Sequence, residues 1–279
     1  MTYEYFALIT FLGALAAGIF GSLTGMGGGA VIIPLLTLGL GVDLHLAIGA
    51  SLVTIIATSS GSAAAYVKEG MSNVRIGMFL EIATTLGAVA GAFLSAMLPA
   101  SSIAVVFGVI LIFSSFFSVR KKMNHVIPQR AGSWSQRLKM DSAYKEQDGS
   151  IKAYGVKNVF GGFAMMGGAG LMSGLLGIGS GSLKVLAMDN IMRMPFKVST
   201  TTSNFMIGVT AAASAVVYFQ HGYIKADIAA PVMVGVLLGA MLGSKILMKA
   251  KSEWLRWFFA IVVCYLAAQM IYEGLKGTL

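Results

Sequence analysis

The sequence predicts an all-α integral membrane protein built from two inverted-topology repeats, each a glycine-broken, re-entrant or hairpin segment plus three transmembrane helices. Three observations carry this. The 279 residues are 57% hydrophobic and 11% charged, against about 25% charged in an ordinary soluble domain. So few charges cannot give a chain of this length a water-facing surface. Glycine is abundant at 35 residues and proline scarce at 5, which suits closely packed membrane helices better than disorder. The chain also repeats itself. Shifted by 152 residues, its first half aligns with its second without a gap from Ala17 to Met97. Gly18, Gly25, Gly27 and Gly29 meet Gly170, Gly177, Gly179 and Gly181. Ser51, Thr58, Ser62 and Tyr66 meet Ser203, Thr210, Ser214 and Tyr218. Gly70, Gly87 and Gly91 meet Gly222, Gly239 and Gly243.

Taken in order, the chain begins with an apolar stretch from Tyr5 to Phe20. It is preceded by Glu4 and no Lys or Arg, so it lacks the positive start of a signal peptide and reads as retained. Segment 5–40 is too long for one crossing of about 20 residues and is broken at Gly25-Met26-Gly27-Gly28-Gly29, with Pro34 beyond. Three segments of spanning length follow, 46–67, 75–97 and 102–119, closing a first repeat over 1–119. Residues 120–157 form a basic, polar stretch, expected to be a solvated loop with a short amphipathic helix around Trp134 to Tyr144. The second repeat, 158–279, opens with segment 158–192, broken at Gly177-Ile178-Gly179-Ser180-Gly181. Segments 198–219, 226–248 and 255–272 complete it.

Lys and Arg positions orient this arrangement. If each broken segment returns to the side it entered from, the halves are inverted. With 120–157 in the cytoplasm, seventeen of the twenty basic residues then lie inside. If each broken segment crosses once, only thirteen do. The positive-inside rule favours the first arrangement, with both termini external. The net charge of +9 is therefore a topology signal, and nucleic acid is not an expected partner.

A backbone break at membrane depth must be satisfied by protein or water. Gly25 to Gly29 and Gly177 to Gly181 permit such a break and expose N–H groups at the start of a following helix, which attracts anions. Inverted repeats bring two such breaks together near the midplane, the arrangement of many transporter sites. The competing explanation is that the glycines only allow close packing. The next helix of each half carries a hydroxyl stripe. Ser51, Thr54, Thr58 and Ser62 share one face. Ser199, Thr202, Ser203, Thr210 and Ser214 match them, with Asn204 alongside. These can hold an oxyanion, or they can bond back to their own helix or across an interface. The candidate substrate-binding residues are Gly25, Gly27, Gly28, Gly29, Ser51, Gly177, Gly179, Ser180, Gly181, Lys184, Thr202, Ser203 and Asn204. Lys184 offers positive charge to an anion or a partner to Asp189. Glu81 is a candidate for ion coupling or an interhelical hydrogen bond, since charges in membrane segments are costly. Gly87, Gly91, Gly235, Gly239 and Gly243 read as packing positions. Asp43 and His45 are expected to be solvated.

Taken together, Gly25 to Gly29 with Pro34, Gly49-Ala50-Ser51, Gly177 to Gly181 and Thr202-Ser203-Asn204 resemble the TauE/SafE sulfite exporters. The resemblance covers both halves apart from 120–157. It implies an all-helical inner-membrane transporter of small anions, sulfite, sulfonates or related sulfur compounds, with both glycine-rich segments lining the site. Two departures stand out: the second cluster is Gly-Ile-Gly-Ser-Gly, and Leu186 occupies the place of Pro34. The expected function is gradient-coupled anion export by alternating access. An anion channel and a carboxylate transporter are the alternatives, and a basic-loop scaffold is a further one. No enzyme activity, cofactor or metal is expected, because the single cysteine, three histidines and scattered carboxylates assemble no such set. Partners are a small anion and membrane lipid, with a homodimer left open.

Overall fold

The apolar segments form helices, and the repeat extends to their boundaries. A computed structural model describes residues 3–24, 28–68, 72–119, 134–145, 151–247 and 252–277. The first half comprises α1 (Tyr3–Thr24), α2 (Gly29–Pro34) running on as a π-helical turn (Leu35–Gly39), α3 (Leu44–Lys68), α4 (Val74–Met97) and α5 (Ala100–Val119). Between the halves lie a single helical turn, α6 (Trp134–Arg137), and strands β1 (Ser142–Lys145) and β2 (Ile151–Tyr154). The second half comprises α7 (Val159–Leu176), α8 (Gly181–Leu186) with its π-helical turn (Ala187–Ile191), α9 (Phe196–Gln220), α10 (Ala226–Leu247) and α11 (Ser252–Lys276). Gly181, Ala187, Phe196, Ala226 and Ser252 each open an element 152 residues after Gly29, Leu35, Leu44, Val74 and Ala100 open its counterpart. Among the described residues, Val74–Met97, Val159–Leu176 and Phe196–Gln220 are long and apolar enough to cross a membrane.

The halves interlock. α1 packs along α10 and α7 along α4, while α5 packs on α11 and α3 on α9. Glycine permits the first two contacts. A side chain at Gly87 or Gly91 would strike the α7 backbone at Gly167 and Leu171, and one at Gly170 or Gly174 would strike Thr84 and Ala88 of α4. Gly235 and Gly239 lie in the same way against Phe11 and Leu15 of α1. Small residues that let backbones touch are the usual cement between membrane helices, where lipid gives no hydrophobic incentive to associate.

α4 shows the consequence for polarity. Its exposed face carries Met78, Ile82, Leu86 and Met97, between 56% and 82% exposed. Its buried face carries Gly77, Glu81, Thr84, Gly91 and Ser95. A helix that is apolar outside and polar inside is matched to lipid, not water.

The described part of 134–157 is folded, contrary to the expected solvated loop. Helix α6 ends at Arg137, and Tyr144 lies in a strand. β1 and β2 pair antiparallel, Ser142 opposite Tyr154 and Lys145 opposite Ile151. Met140, Tyr144, Tyr154 and Val156 are buried against Ile76, Leu80, Met192, Met194 and Val198. Asn73 locks this cap in place. Its carbonyl oxygen accepts from Ile76 N, capping α4, and its amide donates to Met140 O and Tyr154 Oη at 3.0 and 2.8 Å. Burial pushes the Tyr154 phenol above its usual value, so it remains a neutral hydrogen-bonding group at physiological pH. His45 also departs from expectation. It stacks on Tyr223, with ring centroids 4.8 Å apart, and its Nε2 lies 3.1 Å from Ser95 O. Asp43 accepts from His45 N and Leu46 N at the start of α3.

Candidate functional site

The broken segments of the two halves meet. Gly29, at the start of α2, packs so closely that an added Cβ would touch Ser51 Oγ and Gly177 O. Gly177 belongs to the other half. Its φ of +63° and that of Gly179, +70°, lie where L side chains are strained, which is the physical need for glycine here. Ser180 follows with φ +43°, an uncommon conformation for a residue with a Cβ. Gly28 and Gly29 are both buried. Gly25 and Gly27 lie outside the described residues.

The two serines proposed as ligands are directed at this second loop. Ser51 Oγ donates to Gly177 O at 2.8 Å and Ser203 Oγ to Gly181 O at 3.2 Å. In this conformation their hydrogens hold the loop. Ser180 Oγ differs: its residue is 1% exposed and the oxygen has no hydrogen-bond partner among the described residues. Ser173 Oγ and Ser199 Oγ are in the same position. A buried hydroxyl without a partner is costly, and such groups are available to a ligand. Ile48 lies against Gly177, and Ile55 and Ile207 lie against Gly179. The junction is therefore an apolar-walled contact with a few polar groups at its centre, the general composition of a small-molecule site.

Other stripe residues bond locally. Thr54 donates to Ala50 O, Thr58 to Thr54 O and Ser214 to Thr210 O, the back-bonding common for helical Ser and Thr. Thr202 is buried on a different side, where it accepts from Asn73 N at 3.0 Å. Asn204 is half-buried.

Lys184 is fully buried one turn after Ser180. Its ammonium donates to Thr210 Oγ1. Thr210 in turn lies 2.6 Å from Glu81 Oε1, to which it donates, and Thr85 donates to the same oxygen at 3.2 Å. A cation of the second half and a carboxylate of the first are thus joined by one hydroxyl. Sequence reasoning treated Glu81 and Lys184 separately and placed Thr210 only in a stripe. A signal was present: under the 152-residue shift Glu81 meets Met233 and Lys184 meets Ile32. Each charge breaks the repeat once, with opposite sign, in opposite halves.

Comparisons with known proteins identify the family. The model of the family described as sulfite exporter TauE/SafE matches residues 10–270. The chain is 32% identical over 277 residues to the Bacillus subtilis (strain 168) probable membrane transporter protein YunE, covering 97% of this chain and 98% of that one. It is 24% identical over 238 residues to YdhB of the same organism, also named a probable membrane transporter protein, covering 85% and 87%. A probable membrane transporter protein of Xylella fastidiosa (strain 9a5c) is 25% identical over 255 residues, covering 90% of each chain. No solved structure matches. With its family match running nearly end to end and its helices apolar on the outside, the chain belongs to the sulfite exporter TauE/SafE family of membrane transporters.

Proposed function

We propose that the protein is a secondary transporter that moves a small anion, a sulfite, sulfonate or related sulfur compound, across the cytoplasmic membrane by alternating access. The reading includes export, coupled to a proton or other ion gradient, with 120–157 in the cytoplasm and both termini outside. One observation carries it: two glycine-broken segments from different halves converge at Gly29 and Gly177, and the second of them runs on into Ser180, a buried hydroxyl with no partner among the described residues, and one turn later into a buried cation, Lys184. An anion there would find charge and donors in a low-dielectric setting, where both act strongly.

Helix directions support inversion. α4 and α9 advance together, since Asn73 meets Thr202, Glu81 meets Thr210 and Ser95 meets Tyr218. A short connection, 221–225, leads from α9 into α10, and short connections join antiparallel helices. On that basis α4 and its counterpart α10 run in opposite directions. The absence of room for a Cβ at Gly29 favours alternating access over a continuous channel, because substrate entry then requires the halves to part.

Thermal unfolding of purified protein tests the reading against sulfite, sulfate, thiosulfate, small sulfonates and small carboxylates. A ligand of the native state raises the melting temperature. A selective rise with a sulfur anion, absent in Gly179→Val, is expected. A rise with carboxylates alone would transfer the assignment to carboxylate transport. No rise with any anion, joined to channel-like ion flux in liposomes, would replace the transporter with a channel.

A further inference from the structure

Glu81, Thr210 and Lys184 form a unit whose parts come from both halves, and the transport reading alone does not explain it. Lys184 is 0% exposed and Glu81 8%. The surrounding elements contribute few charges. α5 and α7 carry no titratable side chain, and α9 has Lys197 at its start and Tyr218 near its end. Tyr218 donates to Ser95. α3 brings His45, which reaches Ser95 O, and Tyr66 and Lys68 lie at its far end. Arg75 on α4 is exposed and donates to Lys139 O. Asp189 lies on the π-helical turn after α8.

We propose that Lys184 is the counter-charge of the transported anion and that Glu81 occupies that role between loads, so that one proton enters Glu81 with each monovalent anion bound. This rests on the transporter reading and specifies its coupling. The ionised pair is neutral. Adding an anion beside Lys184 leaves two negative charges against one positive in a buried site, a costly imbalance. A proton taken by Glu81 from the side to which the site is open restores neutrality, and its loss on the opposite side accompanies release of the anion; proton and anion move together, so export runs down the anion's own outward gradient and an inward proton gradient drives uptake.

The local geometry accommodates both protonation states. Thr210 has one hydroxyl hydrogen and two acceptors in reach, Glu81 Oε1 at 2.6 Å and Met206 O at 2.9 Å. With Glu81 ionised, the hydrogen points to Glu81. With Glu81 protonated, the carboxyl donates to Thr210 and the hydroxyl turns to Met206 O, so no donor is stranded. The second carboxyl oxygen, Glu81 Oε2, is buried and has no hydrogen-bond partner among the described residues, so the ionised carboxylate is incompletely satisfied and proton uptake at Oε1, facing Thr210, is favoured. Ser180 Oγ, one turn before Lys184 and also unpartnered, supplies a second donor for the anion.

The test uses purified full-length protein with methanesulfonate, sulfate and thiosulfate, whose charge is constant near neutral pH. Binding is followed by thermal shift across pH, and carboxyl protonation by infrared difference spectroscopy. In the wild type, affinity for the bound anion should fall about tenfold per pH unit between the pH at which Glu81 ionises in the empty protein and the higher pH at which it ionises in the loaded one, as one-proton linkage requires, and a protonated-carboxyl band should appear on binding. Glu81→Gln should lose both the band and the pH dependence, and Lys184→Gln should lose binding. Should Glu81→Gln not fold, the wild-type band and pH dependence still decide the matter. Binding without a carboxyl band, or with the same pH dependence in Glu81→Gln, would overturn the coupling and leave the transporter standing. Failure of these three and also of sulfite and the small carboxylates to bind, joined to channel-like ion flux, overturns both.

Discussion

At the scale of single residues, the second glycine loop shows conformation and chemistry in conflict. Gly177 and Gly179 take positive φ without cost, but Ser180 holds φ +43° with its hydroxyl buried and without a partner among the described residues. A residue with a Cβ in that region is strained by about 1–2 kcal/mol, and such strain collects at functional sites. Ser180→Gly should therefore raise stability, by about 1 kcal/mol, while weakening anion affinity. Thermal melts with and without ligand measure both effects. A variant that is stabilised and binds unchanged would make Ser180 a backbone accident. Gly177→Ala should do the opposite, losing about 1–2 kcal/mol through the same left-handed penalty, with further loss from the clash against Ile48.

At the scale of elements, the cap over the start of α4 depends on Asn73. This residue caps α4 and binds both Met140 O and Tyr154 Oη. Asn73→Ala should cost about 0.5–2 kcal/mol from the lost cap alone and also release the hairpin. Asn73→Asp keeps the capping oxygen and removes the amide donors. Limited proteolysis between 134 and 157 separates the two roles: both variants should be cut faster than wild type, while only Asn73→Ala loses the cap. The π-helical turns offer a different lesson. Both halves have one, but only the first follows a proline, Pro34 opposite Leu186. The proline is therefore not their cause. A turn retained on both sides of a repeat despite that difference belongs to the shared packing of the broken segment.

At the scale of the whole molecule, two halves exchange their partners, α1 with α10 and α7 with α4. This makes each glycine contact a joint between halves as well as a packing detail. Inversion predicts a labelling pattern. With Cys264 replaced, a cysteine at Lys139 should react with an impermeant reagent only from the cytoplasm, and one at Lys225 only from outside. Both reacting from one side would require parallel halves.

Much of this organisation could be read from the chain, because membrane burial imposes simple rules. Apolar length sets the helices, and a duplicated register makes their boundaries recur. The glycine clusters were legible as breaks, since a backbone turn at depth needs residues without a Cβ. The pairing of β1 with β2 was not legible: the stretch around it is charged overall, and among the described residues its apolar burial rests on Met140, Tyr144, Tyr154 and Val156. Nor could spacing say that Ser51 would bond across to Gly177 and not to a ligand, because a hydroxyl has several acceptors in reach and packing chooses among them.

Class, repeat, helices and the places where the helices break were legible in the chain. These follow from composition and period, which act locally along the chain. Tertiary structure alone decided that Gly29 meets Gly177, that the serines hold the second loop, and that Lys184 reaches Glu81 through Thr210. Those outcomes depend on which surfaces touch when two halves interlock, and a charge 103 residues from its partner finds it only when the intervening helices have packed.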